Sequence, residues 1–177
     1  MAWIDAADPQ KGLFFDGRIA EDFKLSSGTF VSVGPLRGAV IAAGEPLVQD
    51  AVVAGINRDD LGLMIFPRLE DTRAHFGLTP TLTAAQVLAA PEVTAFFQTL
   101  LNRLWAGGTG SANRPARMIV MADPPQIDCG EVTDKGSINQ RAVLAHRANL
   151  VAHLWGEAPD DGKLPPVLFP HKPPKPH

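Results

Sequence analysis

The chain has 177 residues, 45% of them hydrophobic, and a formal net charge of −3. That is enough apolar material for one domain with a real core, and it leaves no basic excess to carry a nucleic-acid interface. Cys129 is the only cysteine, so no intrachain disulfide can form. The first residues show neither a basic nor an apolar leader, and no apolar run approaches the ~20 residues of a membrane span, so we expect a cytoplasmic protein with no membrane partner.

Residues 1–11 read as a polar lead-in. Residues 13–19 and 23–33 carry the β-branched and aromatic content of two short strands, with Ser26-Ser27-Gly28 as a turn. Pro35 suits the first turn of a helix and Gly44 its end. The apolar run 48–56 predicts a buried strand, Asn57-Arg58-Asp59-Asp60 a turn, and 61–66 the returning strand. Thr83-x-x-Gln86 has the spacing of a capping box and predicts a short helix to about Ala89, with Leu82 and Val87 as its hydrophobic staple. Pro91 opens a longer helix in which Val93, Phe96, Phe97, Leu100, Leu101 and Leu104 recur at three- and four-residue steps, the stripe of a one-faced amphipathic helix. Gly107-Gly108 ends it, and the run through Ser111 reads as a helix stop and linker, since no Gly-Lys-Ser/Thr follows as a phosphate loop requires.

A strand is predicted over 117–121, a polar loop over 123–135 and a last helix over 138–155. Short strands and helices without strict alternation place the fold in the α+β class, a small mixed sheet with an N-terminal β-hairpin and flanking helices. Seven of the 21 residues from 157 to 177 are proline, so this tail is expected to be extended or disordered, with His171 and His177 solvated.

The loop 123–135 carries the chemistry. Ser137-x-x-Gln140 is a second capping box, which predicts a helix starting just after Ser137. The free N–H groups and dipole of such a start favour an anion, and Lys135, two residues outside the cap, adds an ammonium beside it. That pairing suits carboxylate or phosphate chemistry. Asp123, Asp128, Glu131 and Asp134 surround Cys129 without the convergent spacing of metal ligands, so they read as a solvated loop and no metal site is expected.

Thr133-x-x-Gly136-x-Ile138 followed by Arg141 resembles the C-terminal lysine motif of the acyl-adenylate-forming enzymes, the acyl-CoA synthetase family. A second segment, Gly17-Arg18-Ile-Ala-Glu-Asp-Phe-Lys24-Leu-Ser-Ser-Gly28, resembles that family's hinge, in which a Gly-Arg pair precedes a lysine and then a glycine. The two occur in the family's order. Their wording, across roughly residues 10 to 155, is most similar to feruloyl-CoA synthases.

The resemblance implies that residues 1–155 are the mobile C-terminal lid of an acid–CoA ligase and that 156–177 form a separate tail. It implies that Lys135 contacts the acyl carboxylate and the α-phosphate of ATP during adenylation. Arg18 would contact the nucleotide ribose. Lys24 and Gly28 would face the active site when the thioester forms, with glycine letting the CoA arm approach the backbone closely. The substrates implied are an aromatic carboxylic acid, ATP with Mg, and CoA. The implied partner is an N-terminal adenylation domain, whose Ser/Thr/Gly-rich phosphate loop does not occur in these residues, and without it the chain is expected to be inactive. A different class of reading is a non-catalytic module that binds a nucleotide or CoA and docks through its Pro-rich tail.

Overall fold

The structure, a computed structural model, describes residues 2–4, 13–15, 21–159 and 161–171. Its centre is a three-stranded sheet in the order β5-β6-β7, formed by β5 (Val48–Ala54), β6 (Leu61–Pro67) and β7 (Pro115–Val120). β5 and β6 are antiparallel across the turn at 57–60, and β6 and β7 are parallel. A parallel pair needs a long crossover, and three helices supply it: α2 (Leu69–Phe76), α3 (Ala84–Ala89) and α4 (Pro91–Gly107).

Side chains that alternate along the strands feed two cores. Ala51, Val53, Leu63, Ile65 and Met118 point to the face covered by α4 and by α1 (Val33–Ala43), where Val40, Val93, Phe97 and Leu101 meet them. Val52, Met64, Phe66 and Ile119 point to the other face, under α5 (Gln140–His146) and α6 (Ala148–Leu154), where they meet Val143 and Leu154. With both faces covered, β6 is buried at every residue, which explains its unbroken apolar sequence. The α+β arrangement of small sheets with flanking helices is the expected one. Among the described residues no helix is long and apolar enough to cross a membrane.

Two two-stranded sheets precede the core. β1 (Ala2–Ile4) pairs with β2 (Leu13–Phe15), so the polar lead-in contains a strand. β3 (Phe23–Lys24) pairs with β4 (Phe30–Val31), a hairpin bent at the expected turn Ser26-Ser27-Gly28, and the segment read as strand to residue 33 ends at Val31. Gly28 sits at φ +82°, in the left-handed region that glycine adopts without strain. Helix α1 begins at Val33, whose N–H donates to Asp22 Oδ1 at 2.9 Å, so a residue before the hairpin caps the helix after it.

Two further departures from the sequence reading have local causes. Helix α2 was not expected, because only Thr72 of its residues is buried and no apolar stripe marks it. The expected last helix is two, broken at Arg147 (φ −101°, ψ 36°). The tail takes the extended of its two expected forms through His171: Met118 and Leu168 exchange backbone hydrogen bonds of 3.0 and 2.8 Å, which covers the outer edge of β7. Gln98 Nε2 donates to the carbonyl of Phe169 at 2.8 Å, and the His171 N–H donates to Asn102 Oδ1 at 2.8 Å.

Candidate functional site

Lys135 lies at the tip of a small hairpin closed by the Val132–Ile138 bridge. The turn is braced from inside. Thr133 N–H donates to the Ser137 carbonyl at 2.8 Å, Gly136 N–H donates to the Thr133 carbonyl at 2.8 Å, and the Thr133 and Ser137 hydroxyls lie 2.8 Å apart. Gly136 has φ +78°, a conformation that suits glycine at this corner. The Lys135 side chain is exposed and makes no hydrogen bond or ion pair with the described residues, so its ammonium is available to a ligand.

The helix start expected at Ser137 does not form. The N-cap of α5 is Asn139, whose Oδ1 accepts from Ala142 N–H at 3.3 Å. Gln140 does not fold back to complete a box. Its Oε1 accepts from the Val53 N–H at 2.8 Å, where it satisfies an outward donor of the edge strand β5. Ser137 is spent on the turn, and α5 is only seven residues long, so the arrangement of a lysine beside a helix N-terminus is replaced by a lysine on a hairpin tip.

The base of this hairpin is fixed by a buried ionic group that the sequence reading took for part of a solvated loop. Glu131 is fully buried. Its Oε1 accepts from Arg147 Nε at 2.8 Å and its Oε2 accepts from Arg147 Nη2 at 2.9 Å and from the Gln126 N–H at 2.8 Å. His146 Nδ1 lies 2.8 Å from Oε1. Arg147 also donates to the carbonyls of Asp123 (3.0 Å) and Pro124 (2.8 Å), and its guanidinium stacks over the Phe66 ring at 5.0 Å. Burial pushes the Glu131 carboxyl up, but the bonds from Arg147, the Gln126 amide and His146 outweigh this and bring it down to about 2. The group is an ionised carboxylate holding both ends of the loop, and the Asn139 N–H closes the clamp on the Glu131 carbonyl at 2.8 Å. A signal for Arg147 exists: it occupies a core-facing step of the repeat Val143, Arg147, Val151, Leu154, which demands a buried counter-charge.

Lys24 and Gly28 share the β3–β4 hairpin, and both are exposed. Lys24 is paired across the ladder with Phe30, a large apolar side chain that is 53% exposed. This hairpin is tied to the β5–β6 turn, with Asn57 N–H donating to the Lys24 carbonyl at 3.2 Å and Ser26 N–H to the Arg58 carbonyl at 2.9 Å. The Lys135 loop leaves the sheet after β7. Given the strand directions, the loop leaves at the end of the sheet opposite the β5–β6 turn, and it returns to β5 at Val53 through Gln140. Arg18 lies outside the described residues. The loop after α4 is a braced helix stop: Asn113 Oδ1 accepts from the N–H groups of Thr109 (2.8 Å) and Gly110 (3.0 Å). Among the described residues no three His, Cys, Asp or Glu side chains converge as metal ligands.

Residues 22–158 match the AMP-binding enzyme C-terminal domain, and the chain belongs to that family. Solved structures with a similar fold include two from carboxylic acid reductases. The A domain from Segniliparus rugosus, in complex with AMP and a co-purified carboxylic acid, is 24% identical over 82% of this chain and 21% of that chain, with a TM-score of 0.56. The adenylation domain from Mycobacterium chelonae is 22% identical over 81% of this chain and 20% of that chain, with a TM-score of 0.61. The chain thus spans about a fifth of the length of the solved structures it matches. No curated protein matches it.

Proposed function

We propose that this chain is the C-terminal lid of an ATP-dependent acid–CoA ligase of the feruloyl-CoA-synthase kind, with residues 1–155 as the lid and 156–177 as its tail. In the first step a carboxylate oxygen attacks the α-phosphorus of ATP and expels pyrophosphate, leaving an acyl-adenylate. Lys135 offsets the negative charge on the carboxylate and α-phosphate as they approach, an electrostatic contribution worth a few kcal/mol for one well-placed group. In the second step the CoA thiol attacks the acyl carbon and AMP leaves. For this step the lid turns to present the hairpin with Lys24 and Gly28, while Arg18 holds the ribose.

The observation that carries the reading is the exposed Lys135 without a partner among the described residues, on a hairpin braced by its own turn and clamped to a buried ion pair. Family membership supports adenylation as the setting. The attachment of the two hairpins to different elements, one to the Glu131–Arg147 pair and the other to the β5–β6 turn, supports a domain that offers one surface per step. The CoA step and the aromatic acid rest on the motif wording at 17–28 and 133–141.

The test is reconstitution. The purified 177-residue chain, given ferulate, ATP with Mg and CoA, is expected to form no thioester, because one lysine cannot align three substrates. Joined to the adenylation domain that the family implies, it is expected to release AMP and form the thioester. Thioester formation by the chain alone, or AMP release without thioester by the joined enzyme, contradicts the reading.

A further inference from the structure

A cavity of about 530 Å³ lies behind the base of the lysine hairpin, between the α3–α4 pair, the end of β7, the α5–α6 junction and the tail. That volume is in the range of small-molecule sites, ~300–1,000 Å³. Its walls are mostly apolar, with Leu88, Phe97, Leu150 and Leu164 among them. His146 also lines it.

The orientation of the imidazole is set by its neighbour. Glu131 is ionised, so it can only accept from His146 Nδ1, which therefore carries a hydrogen. In the neutral ring the lone pair then lies on Nε2, which has no partner among the described residues. Both cations on the cavity wall are already paired: Arg147 with Glu131, and Lys163 with Asp161 at 3.5 Å. An anionic head group therefore finds no free cation there, whereas a hydroxyl gains an oriented acceptor.

We infer that this cavity binds a neutral alcohol or phenol with a compact apolar body, its hydroxyl donating to His146 Nε2 and its body lying against Leu88, Leu150 and Leu164. Glu131 acts as a positioning residue that fixes the tautomer of His146. The tail supplies part of the wall, so the site exists only with residues 162–168 in place. The inference does not depend on the ligase reading, and its test needs no turnover.

The full-length chain is titrated with 1-naphthol and, in parallel, with naphthalene, following ligand fluorescence. Saturable binding of 1-naphthol is expected. Ala89→Trp, at an exposed position on the cavity wall, is expected to abolish it by filling the space. His146→Leu is expected to weaken 1-naphthol about five- to tenfold, the effect of one lost hydrogen bond, and to leave naphthalene unchanged. In the wild-type protein the ¹⁵N signal of His146 Nε2 is expected to move with 1-naphthol and not with naphthalene, which decides the matter even where a variant does not fold. Absence of saturation, an unaffected Ala89→Trp, equal losses for both ligands in His146→Leu, or an Nε2 signal that 1-naphthol does not move would each overturn the inference.

Discussion

Glu131 and Arg147 form a two-pronged ion pair, Oε1–Nε at 2.8 Å and Oε2–Nη2 at 2.9 Å, with side chains 0% and 7% exposed. The carboxylate belongs to the loop that bears Lys135 and the guanidinium to the break between α5 and α6. The pair therefore sets where the lysine hairpin leaves the body of the domain. Arg147 departs from helical geometry at this point, and its guanidinium reaches the carboxylate and two loop carbonyls at once.

Removing one partner strands the other. Arg147→Ala is expected to cost about 3–5 kcal/mol in urea unfolding, because the Glu131 carboxylate stays buried without its main counter-charge. Glu131→Leu combined with Arg147→Met is expected to recover most of that loss. A double variant as unstable as the single one contradicts this view of the pair.

The same pair gives stability a defined acid dependence. The Glu131 carboxyl lies at about 2 in the folded protein against an ordinary value of 4.5, so its contribution is present above about pH 4.5 and is lost as pH falls towards 2. Unfolding free energy measured between pH 5 and about pH 2.5 is expected to fall more steeply for the wild type than for Glu131→Gln. Parallel slopes refute the assignment.

Gln140 ties the last helices to the edge of the sheet. Gln140→Ala removes the acceptor of the Val53 N–H in a buried setting and is expected to cost about 1–3 kcal/mol. Amide exchange at Val53 should quicken in the variant beyond the global change, and unchanged exchange there counts against the bond.

The tail protects a strand edge. A chain ending at residue 160 loses the Met118–Leu168 backbone pair, the bonds to Gln98 and Asn102, and the bond from His153 Nε2 to the Pro165 carbonyl. At about 0.5–1.5 kcal/mol each, this predicts a loss of at least about 2 kcal/mol, with self-association through the bared edge of β7. A monomeric truncation with the wild-type melting temperature contradicts the prediction.

Much of this fold is legible locally. The apolar runs of β5 and β6, the capping box at Thr83 and Gln86 (present as read) and the Val93–Leu101 stripe all report burial or capping within a few residues. What was misread depends on distant partners. Gln140 sits at box spacing from Ser137, but its amide is used by a strand 87 residues away. Glu131 looks like one acid among four and is distinguished only by Arg147, 16 residues on. Helix α2 buries one residue and so leaves no stripe to read, although Gly77, its C-cap at φ +62°, is a stop signal of the usual kind. Lys135 is marked by the motif at 133–141 alone, since the helix start expected beside it does not form.

The most direct test of the account is pyrophosphate exchange by the complete enzyme carrying Lys135→Ala. A loss of at least about a hundredfold, with unchanged melting temperature, is the result the account predicts for one electrostatic group at the reacting phosphate. Exchange at the wild-type rate would contradict it, and with it the role given to the hairpin that Glu131 and Arg147 hold in place.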